Sequence, residues 1–187
     1  MAYNMKDVFF LNSAMTIAAS TAGDTTEQLD VSSYVNTIAR KGRKGQGLGI
    51  YRVYWSVTSN TDESDPPAEA ETAIFRCALL AGAGLGDNAT GVLALGAANK
   101  LGPSNDNLIS GIDFYGGSGT APGAQYMNEY IHPSDDVPFV VVRDNVCLAA
   151  SLEANAAAAI TVSIRMECGL VSLGTDVLNQ LLLTQTA

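Results

Sequence analysis

The single histidine offers the first arrangement of residues that could do chemistry. His132 lies in the stretch IHPSDD, close to Asp135 and Asp136. A histidine beside a carboxylate can serve as a general base. These residues share one proline-punctuated loop, and no Gly-x-Ser-x-Gly or similar nucleophile motif accompanies them. The pattern is more typical of a surface loop than of a catalytic pair, so we predict no catalytic residue and no enzyme.

Two loops could hold a ligand. The stretch GAGLGD at 82–87 follows a strand-like segment, as a phosphate-binding loop does. Its glycines lack the dinucleotide-binding spacing, and no GKS or GKT follows, so a flexible turn is the better interpretation. Asp62, Glu63 and Asp65 could bind calcium through oxygen, but their spacing matches no calcium loop. We predict no cofactor and no small-molecule substrate.

The cysteines give no sign of a metal site. Cys77, Cys147 and Cys168 are far apart and lie among apolar residues. This setting predicts small buried hydrophobic side chains, although a disulfide between two of them stays open. The chain has no CxxC pair and one histidine, which argues against a Cys/His zinc site.

Composition predicts a folded chain, and the N-terminal residues predict no leader sequence. With 187 residues, 47% hydrophobic and 16% charged, it fits one domain over 1–187 that can bury a full core. The N-terminal stretch MAYNMKDVFF lacks the features of a signal peptide, and no apolar run approaches the roughly 18 residues of a membrane span. We therefore expect synthesis in the cytoplasm, with no signal peptide or transmembrane segment. The net charge of −9 disfavours general nucleic-acid binding.

Strand signals alternate with turn signals along the chain, which is typical of an all-β sandwich or barrel. In the clearest strand, GLGIYRVYWSVTS at 47–59, alternation predicts one mixed face and one apolar face. The mixed face holds Ile50, Arg52, Tyr54 and Ser56, and the apolar face holds Tyr51, Val53, Trp55 and Val57. Asp144-Asn145 predicts a tight hairpin turn. The candidate strands are 8–11, 15–19, 28–31, 48–58, 72–81, 91–95, 108–115, 138–143, 146–152 and 160–173.

Two short helices are predicted. Residues 30–39 could form one, with Val31, Tyr34, Val35 and Ile38 on a common side. The other lies at the C-terminus, with Thr175 as its N-cap and Asp176 in its first turn. Its apolar stripe consists of Val177, Leu178, Leu181 and Leu182. A helix this short must dock on another surface, either its own sheet or a neighbouring copy.

Charge is concentrated in two segments that flank strand 48–58. The basic segment holds Arg40, Lys41, Arg43 and Lys44, and the acidic segment holds Asp62, Glu63, Asp65, Glu69 and Glu71. A straight strand of this length spans roughly 36 Å, far beyond a Debye length of about 8 Å, so the segments are expected at opposite ends. Both could be ordinary solvated loops. Alternatively, the basic end contacts genome or lipid phosphates and the acidic end faces outward, or the two segments pair between neighbouring copies.

Two stretches carry a resemblance to a known family: GIYRVYWSVTS at 49–59 and the closing unit at 144–182, which has the order strand, turn, long strand and terminal helix. In these the chain resembles the single jelly-roll capsid proteins of tailless icosahedral viruses, including archaeal and bacterial viruses with an internal membrane. The resemblance implies eight strands in two facing sheets, with 1–20 as an arm or first strand and 174–187 as a terminal helix or tail.

The same resemblance implies a structural role in a virion. Many copies of such a subunit form an icosahedral shell, and a second capsid protein, the genome or membrane lipid are its further partners. The family has no short signature that would transfer a site residue. The alternative hypothesis is a β-sandwich binding module or surface-appendage subunit with a carbohydrate or protein ligand.

Overall fold

The computed structural model describes residues 5–20, 23–37, 44–59, 74–82, 101–115, 126–152 and 159–185. Nine strands lie within these residues, with one turn of 3₁₀-helix at Ser32–Tyr34 and one α-helix, α1, at Thr175–Thr184. The strands are β1 (Met5–Ile17), β2 (Gly23–Asp30), β3 (Gly45–Ser59), β4 (Ile74–Ala81), β5 (Leu108–Tyr115), β6 (Tyr126–Ile131), β7 (Phe139–Val141), β8 (Asn145–Leu152) and β9 (Ile160–Leu173).

The strands form two antiparallel sheets. One has four strands in the order β1-β9-β3-β7, and the other has five in the order β2-β8-β4-β5-β6. The prediction of an all-β sandwich with a short C-terminal helix is therefore confirmed.

The pairing of the strands is nested. β1 pairs with β9, β2 with β8, β3 with β7 and β4 with β5. Ladders from β9 to β3 and from β8 to β4 join these pairs into the two sheets, and β6 extends the second sheet beyond β5. The chain therefore crosses from one sheet to the other at most of its connections, and the first and last strands lie side by side.

Alternation in the long strands explains why the sheets face each other. Along β9 the buried side chains Ile160, Val162, Ile164 and Met166 alternate with more exposed ones. A strand places successive side chains on opposite faces, so one face of β9 is apolar and must be covered. The partner sheet supplies the cover. Each large aliphatic side chain buried in this way contributes about 1.5–3 kcal/mol.

The main core lies between the sheets. Trp55 of β3 is buried there, and the rings of Phe75 and Phe114 stack with their centroids 4.9 Å apart. Leu148 and Met166 fill the space from the central strands of each sheet. Two smaller clusters lie elsewhere: Leu80, Leu101 and Leu108 belong to one, and the inner face of α1 belongs to the other.

β3 departs from the simple alternation at its middle. Its register against β9 shifts between Ile50 and Arg52. Trp55 faces the core as predicted, but Ile50 is also buried there, and Tyr51 lies over Gly169 of β9. A β-bulge adds one residue to a strand, which reverses the faces of the residues on one side of it. The predicted sides of Ile50 and Tyr51 were therefore wrong.

Two further local predictions, a hairpin turn and a helix, are wrong. Asp144-Asn145 does not close a hairpin, because β7 pairs with β3 whereas β8 pairs with β2 and β4 in the other sheet. Instead the turn carries the chain between sheets, and the Asp144 carbonyl accepts a hydrogen bond of 2.8 Å from the N–H of Val31. Of the helix predicted over 30–39, residues 30–37 are described, and they form one 3₁₀ turn at Ser32–Tyr34, with Val35 extended after it. A turn signal marks a change of direction and does not select a partner strand.

Other strand predictions differ mainly at their ends. Strands 108–115 and 160–173 have the predicted bounds, while 8–11 and the first three residues of 15–19 belong to the single strand β1, which ends at Ile17. β6 was not predicted, and the predicted strand 91–95 lies outside the described residues. α1 begins at Thr175 with Gly174 as its N-cap, so the predicted Thr175 cap is wrong by one residue, while Asp176 is in the first turn. No helix in the described ranges is long and apolar enough to cross a membrane.

Candidate assembly surfaces

The structure describes part of the basic segment. Lys44 is exposed directly before β3, and Arg40, Lys41 and Arg43 lie outside the described residues. The five predicted acidic residues, Asp62, Glu63, Asp65, Glu69 and Glu71, also lie outside them. Between the two segments β3 runs for 15 residues, which is roughly 50 Å at about 3.3 Å per residue. In sequence, the basic segment therefore precedes β3 and the acidic segment follows it. What each segment contacts stays a prediction.

The C-terminal helix packs on the outer face of its own four-stranded sheet. Leu178 is buried against Val140 and Leu173, and Gly45 lets the helix approach closely. A β-carbon at Gly45 would lie 2.6 Å from the Leu178 Cδ2 atom. The other three residues of the predicted stripe, Val177, Leu181 and Leu182, are partly buried against the same cluster.

Gln185, at the end of α1, covers the edge of β7. Its Nε2 atom donates a 2.7 Å hydrogen bond to the Val140 carbonyl, and its Oε1 atom accepts a 3.0 Å bond from the Val142 N–H. One buried side-chain amide thus makes the two bonds that a neighbouring strand would make. β7 is an edge strand, and an unprotected edge invites pairing with other chains. Gln185 could not be predicted from the sequence, because nothing local distinguishes it from other polar tail residues.

The rest of that outer face exposes aromatic and charged side chains. Tyr54 and Phe10 are about half exposed, and the Arg165 guanidinium lies 4.1 Å from the centre of the Phe10 ring. The Tyr54 hydroxyl donates to Glu167 at 3.4 Å. A shallow groove with a volume of about 490 Å³ runs beside Tyr54, and its polar lining includes Asn12, Ser56, Ser163 and Arg165. The sequence signal for this surface was the mixed face of β3.

On the outer face of the five-stranded sheet, charged and polar side chains pair with one another. Arg76 and Asp113 form a two-pronged ion pair with N–O distances of 2.6 and 2.9 Å. Hydrogen bonding to Asp113 raises the pKa of Arg76. The Arg76 guanidinium also lies 4.7 Å from the centre of the Tyr130 ring, and the Tyr130 hydroxyl donates to the Leu101 carbonyl. The polar groups of Arg76, Asp113 and Tyr130 are thus paired within the protein, which stabilises the sheet.

The histidine loop does not assemble a catalytic pair. His132 is exposed, and no hydrogen bond or ion pair joins it to Asp135 or Asp136 within the described residues. Asp135 instead lies 3.6 Å from Arg52, and both side chains are mostly exposed. Of the glycine-rich stretch, Gly82 alone is described; it has a φ of +87°, and its N–H donates to the Asn145 carbonyl. This hydrogen bond gives Gly82 a structural role at the end of β4.

The cysteines are buried, as predicted, and all three are free, which answers the open question of a disulfide. Burial raises the pKa of Cys147 to about 11 and that of Cys168 to about 12, and it raises the pKa of Cys77 further. A thiol is a reactive nucleophile when it is ionised, so these three stay unreactive near neutral pH. No group of three metal-ligating side chains occurs in the part of the chain that the structure describes.

Comparison with known sequences assigns no function to these surfaces. No protein-family model matches the chain, and no curated protein is significantly similar to it.

Proposed function

We propose that the protein is the subunit of an icosahedral viral capsid, built as a single jelly roll. The observation that carries the proposal is the nested pairing of β1 with β9, β2 with β8, β3 with β7 and β4 with β5. Four nested ladders rolled into two facing sheets are the plan of a jelly roll, and viral capsid proteins are one of the main classes with this fold. β6 is then an addition to the eight-strand plan.

The packing between the sheets supports a structural role over a catalytic one. An active site needs polar side chains that converge in a cavity. Here the inward-facing side chains are almost all apolar, and aromatic rings such as Trp55 and Phe75 fill the middle. Between the sheets, the buried indole N–H of Trp55 donates a 2.9 Å hydrogen bond to the Ser110 hydroxyl. The interior is therefore a core, and function is assigned to the surfaces.

The ends and faces of the sandwich support assembly into a shell. Several large apolar side chains are exposed on its surface: Val8, Phe10, Tyr54, Tyr115, Met127, Val137 and Leu183. Such side chains are typical of surfaces that other proteins cover. In the proposed virion, the basic segment contacts genome or membrane phosphates and the acidic segment faces outward. A second capsid protein is a further partner that the proposal allows.

Electron microscopy of the purified chain in negative stain tests this proposal. We expect shells or large curved assemblies that form in a concentration-dependent and salt-dependent manner. Replacing Arg40, Lys41, Arg43 and Lys44 by serine should weaken assembly or cargo contact without changing the thermal unfolding temperature. A chain that stays monomeric at high concentration in every salt condition would overturn the proposal.

A second candidate function rests on the groove beside Tyr54. Its volume of about 490 Å³ and its aromatic wall with asparagine, serine and arginine neighbours suit a carbohydrate ring. The protein would then be a β-sandwich binding module. Binding to a glycan array that is lost in Tyr54→Ala and retained in Tyr115→Ala would favour this function. Absence of glycan binding by the wild-type chain would exclude it.

A further inference from the structure

The two edge strands of the four-stranded sheet differ in whether their outward backbone groups are covered. The four-stranded sheet ends at β7 and at β1, and the side chain of Gln185 covers β7. Within the described residues, the backbone of β1 is hydrogen-bonded to β9 alone. Half of the N–H and C=O groups of an edge strand point away from its partner, so among the described residues the 13-residue strand β1 presents an edge with no partner strand.

The composition of β1 makes this edge suitable for pairing. Residues 8–17, with the sequence VFFLNSAMTI, contain no charged side chain and no proline. Val8 is 62% exposed and Phe10 is 47% exposed. Proteins commonly protect an exposed edge with lysine, proline or a short strand, and 8–17 has none of these. The edge strand β2 differs, because Asp24, Glu27 and Asp30 lie among its eight residues.

We propose that the edge of β1 pairs with β1 of a second copy of this chain. The pairing is antiparallel about a two-fold axis, so that each copy gives the other the same surface. The neutral, apolar sequence of residues 8–17 argues for a second copy, because it matches an identical strand, and with a net charge of −9 on each chain it is where two copies approach with least repulsion. Ten paired residues form on the order of ten backbone hydrogen bonds.

The covered edge at β7 fixes the size of the resulting sheet. Two four-stranded sheets joined at β1 give one continuous sheet of roughly eight strands, which is within the usual range. At both far ends the Gln185 side chain occupies the hydrogen-bonding groups that a further strand would need. Pairing through this sheet therefore stops at two copies. This inference deepens the proposed function, on which it rests for the identity of the partner, because it names the contact between neighbouring subunits.

The test compares two double variants of the full chain. Val8→Lys/Ala14→Lys adds two positive charges at exposed positions of β1, and the matched control Ser104→Lys/Asn179→Lys adds the same charge at exposed positions elsewhere. Sedimentation velocity over a range of concentrations measures association. We expect pairs or multiples of pairs for the wild type and the control, and at least a tenfold weaker association for the β1 variant. Thermal unfolding shows that both variants fold.

Amide hydrogen exchange of the wild-type chain gives a second readout that needs no variant. In a pair, nearly all amides of a peptide spanning 5–17 are protected; in an unpaired edge strand, about half of them exchange fast. If the wild type assembles while half of these amides stay unprotected and the β1 variant assembles normally, the inference is wrong and the shell proposal stands. If the wild type forms pairs through β1 and nothing larger, the inference stands and the shell proposal falls. A monomer with fast exchange in β1 overturns both.

Discussion

The indole N–H of Trp55 donates a 2.9 Å hydrogen bond to the hydroxyl of Ser110 in the middle of the sandwich. Trp55 belongs to β3 of the four-stranded sheet and Ser110 to β5 of the five-stranded sheet. Both side chains are buried, so this bond is a polar link between two sheets that otherwise meet through apolar contacts. It fixes how one sheet lies over the other, because a hydrogen bond is directional and apolar packing is not.

Ser110→Ala tests the cost of breaking this link. The variant leaves the buried indole N–H without a partner, and we expect a loss of about 1–3 kcal/mol in the free energy of unfolding. Urea denaturation measures the loss. The double variant Trp55→Phe/Ser110→Ala removes both polar groups and should be less unstable than the sum of the single variants. Additive losses would show that the bond makes no specific contribution.

Gln185→Ala should destabilise the edge of β7. The variant leaves the Val140 carbonyl and the Val142 N–H unpaired, so we expect a loss of about 1–3 kcal/mol and a greater tendency to aggregate. Gln180→Ala is the matched control, because Gln180 is an exposed residue of the same helix. Urea denaturation and light scattering compare the two. Equal effects of the two variants would contradict a role for Gln185 at this edge.

Gly111→Ala should disturb the packing of Tyr130. A β-carbon at Gly111 would overlap the Tyr130 ring, so the ring must move and its bond to Leu101 must weaken. We expect a loss of about 1–3 kcal/mol, as in other overpacked sites. In a Tyr130→Ala background the same substitution should be nearly neutral. A large loss that persists in that background would place the strain elsewhere.

Stability should fall as pH rises through the alkaline range. Burial raises the pKa of Tyr130 from 10.0 to about 12, so the neutral phenol is favoured in the folded state. This stabilisation is complete below pH 10, where both states are protonated, and it is lost between about pH 10 and 12, because the unfolded chain ionises first. Each such group adds a slope of about 1.4 kcal/mol per pH unit. The thiols of Cys147 and Cys168 act in the same direction from about pH 9.

Tyr130→Phe separates the phenol from the thiols. The variant should show a shallower decline of stability between pH 10 and 11 than the wild type, by about one proton in the slope. Urea denaturation at several pH values measures it. Identical slopes in the two proteins would mean that Tyr130 does not contribute to the alkaline loss.

Local patterns in the sequence determined most of the strands and, away from the bulge in β3, which side chains of the long strands face the core. The alternation in 160–173 and the apolar run 108–115 gave β9 and β5 with their observed bounds. The apolar neighbours of the cysteines predicted their burial. These properties depend on residues that are adjacent or two apart, so a strand carries them wherever it pairs. The charge-free run 8–17 was also visible, but its meaning depends on where β1 lies.

Tertiary structure alone decided which strands are neighbours and which polar groups meet. Trp55 and Ser110 are 55 residues apart, and Arg76 and Asp113 are 37 apart, so no spacing rule connects either pair. The partner strand likewise decides where the bulge beside Tyr51 forms. It also decides that Gln185 hydrogen-bonds to β7. The physical reason is that a strand's backbone can bond to any other strand, and the choice is made by burial of all the apolar faces together. That collective choice placed β1 and β7 at the edges of one sheet and left only β7 covered within the described residues.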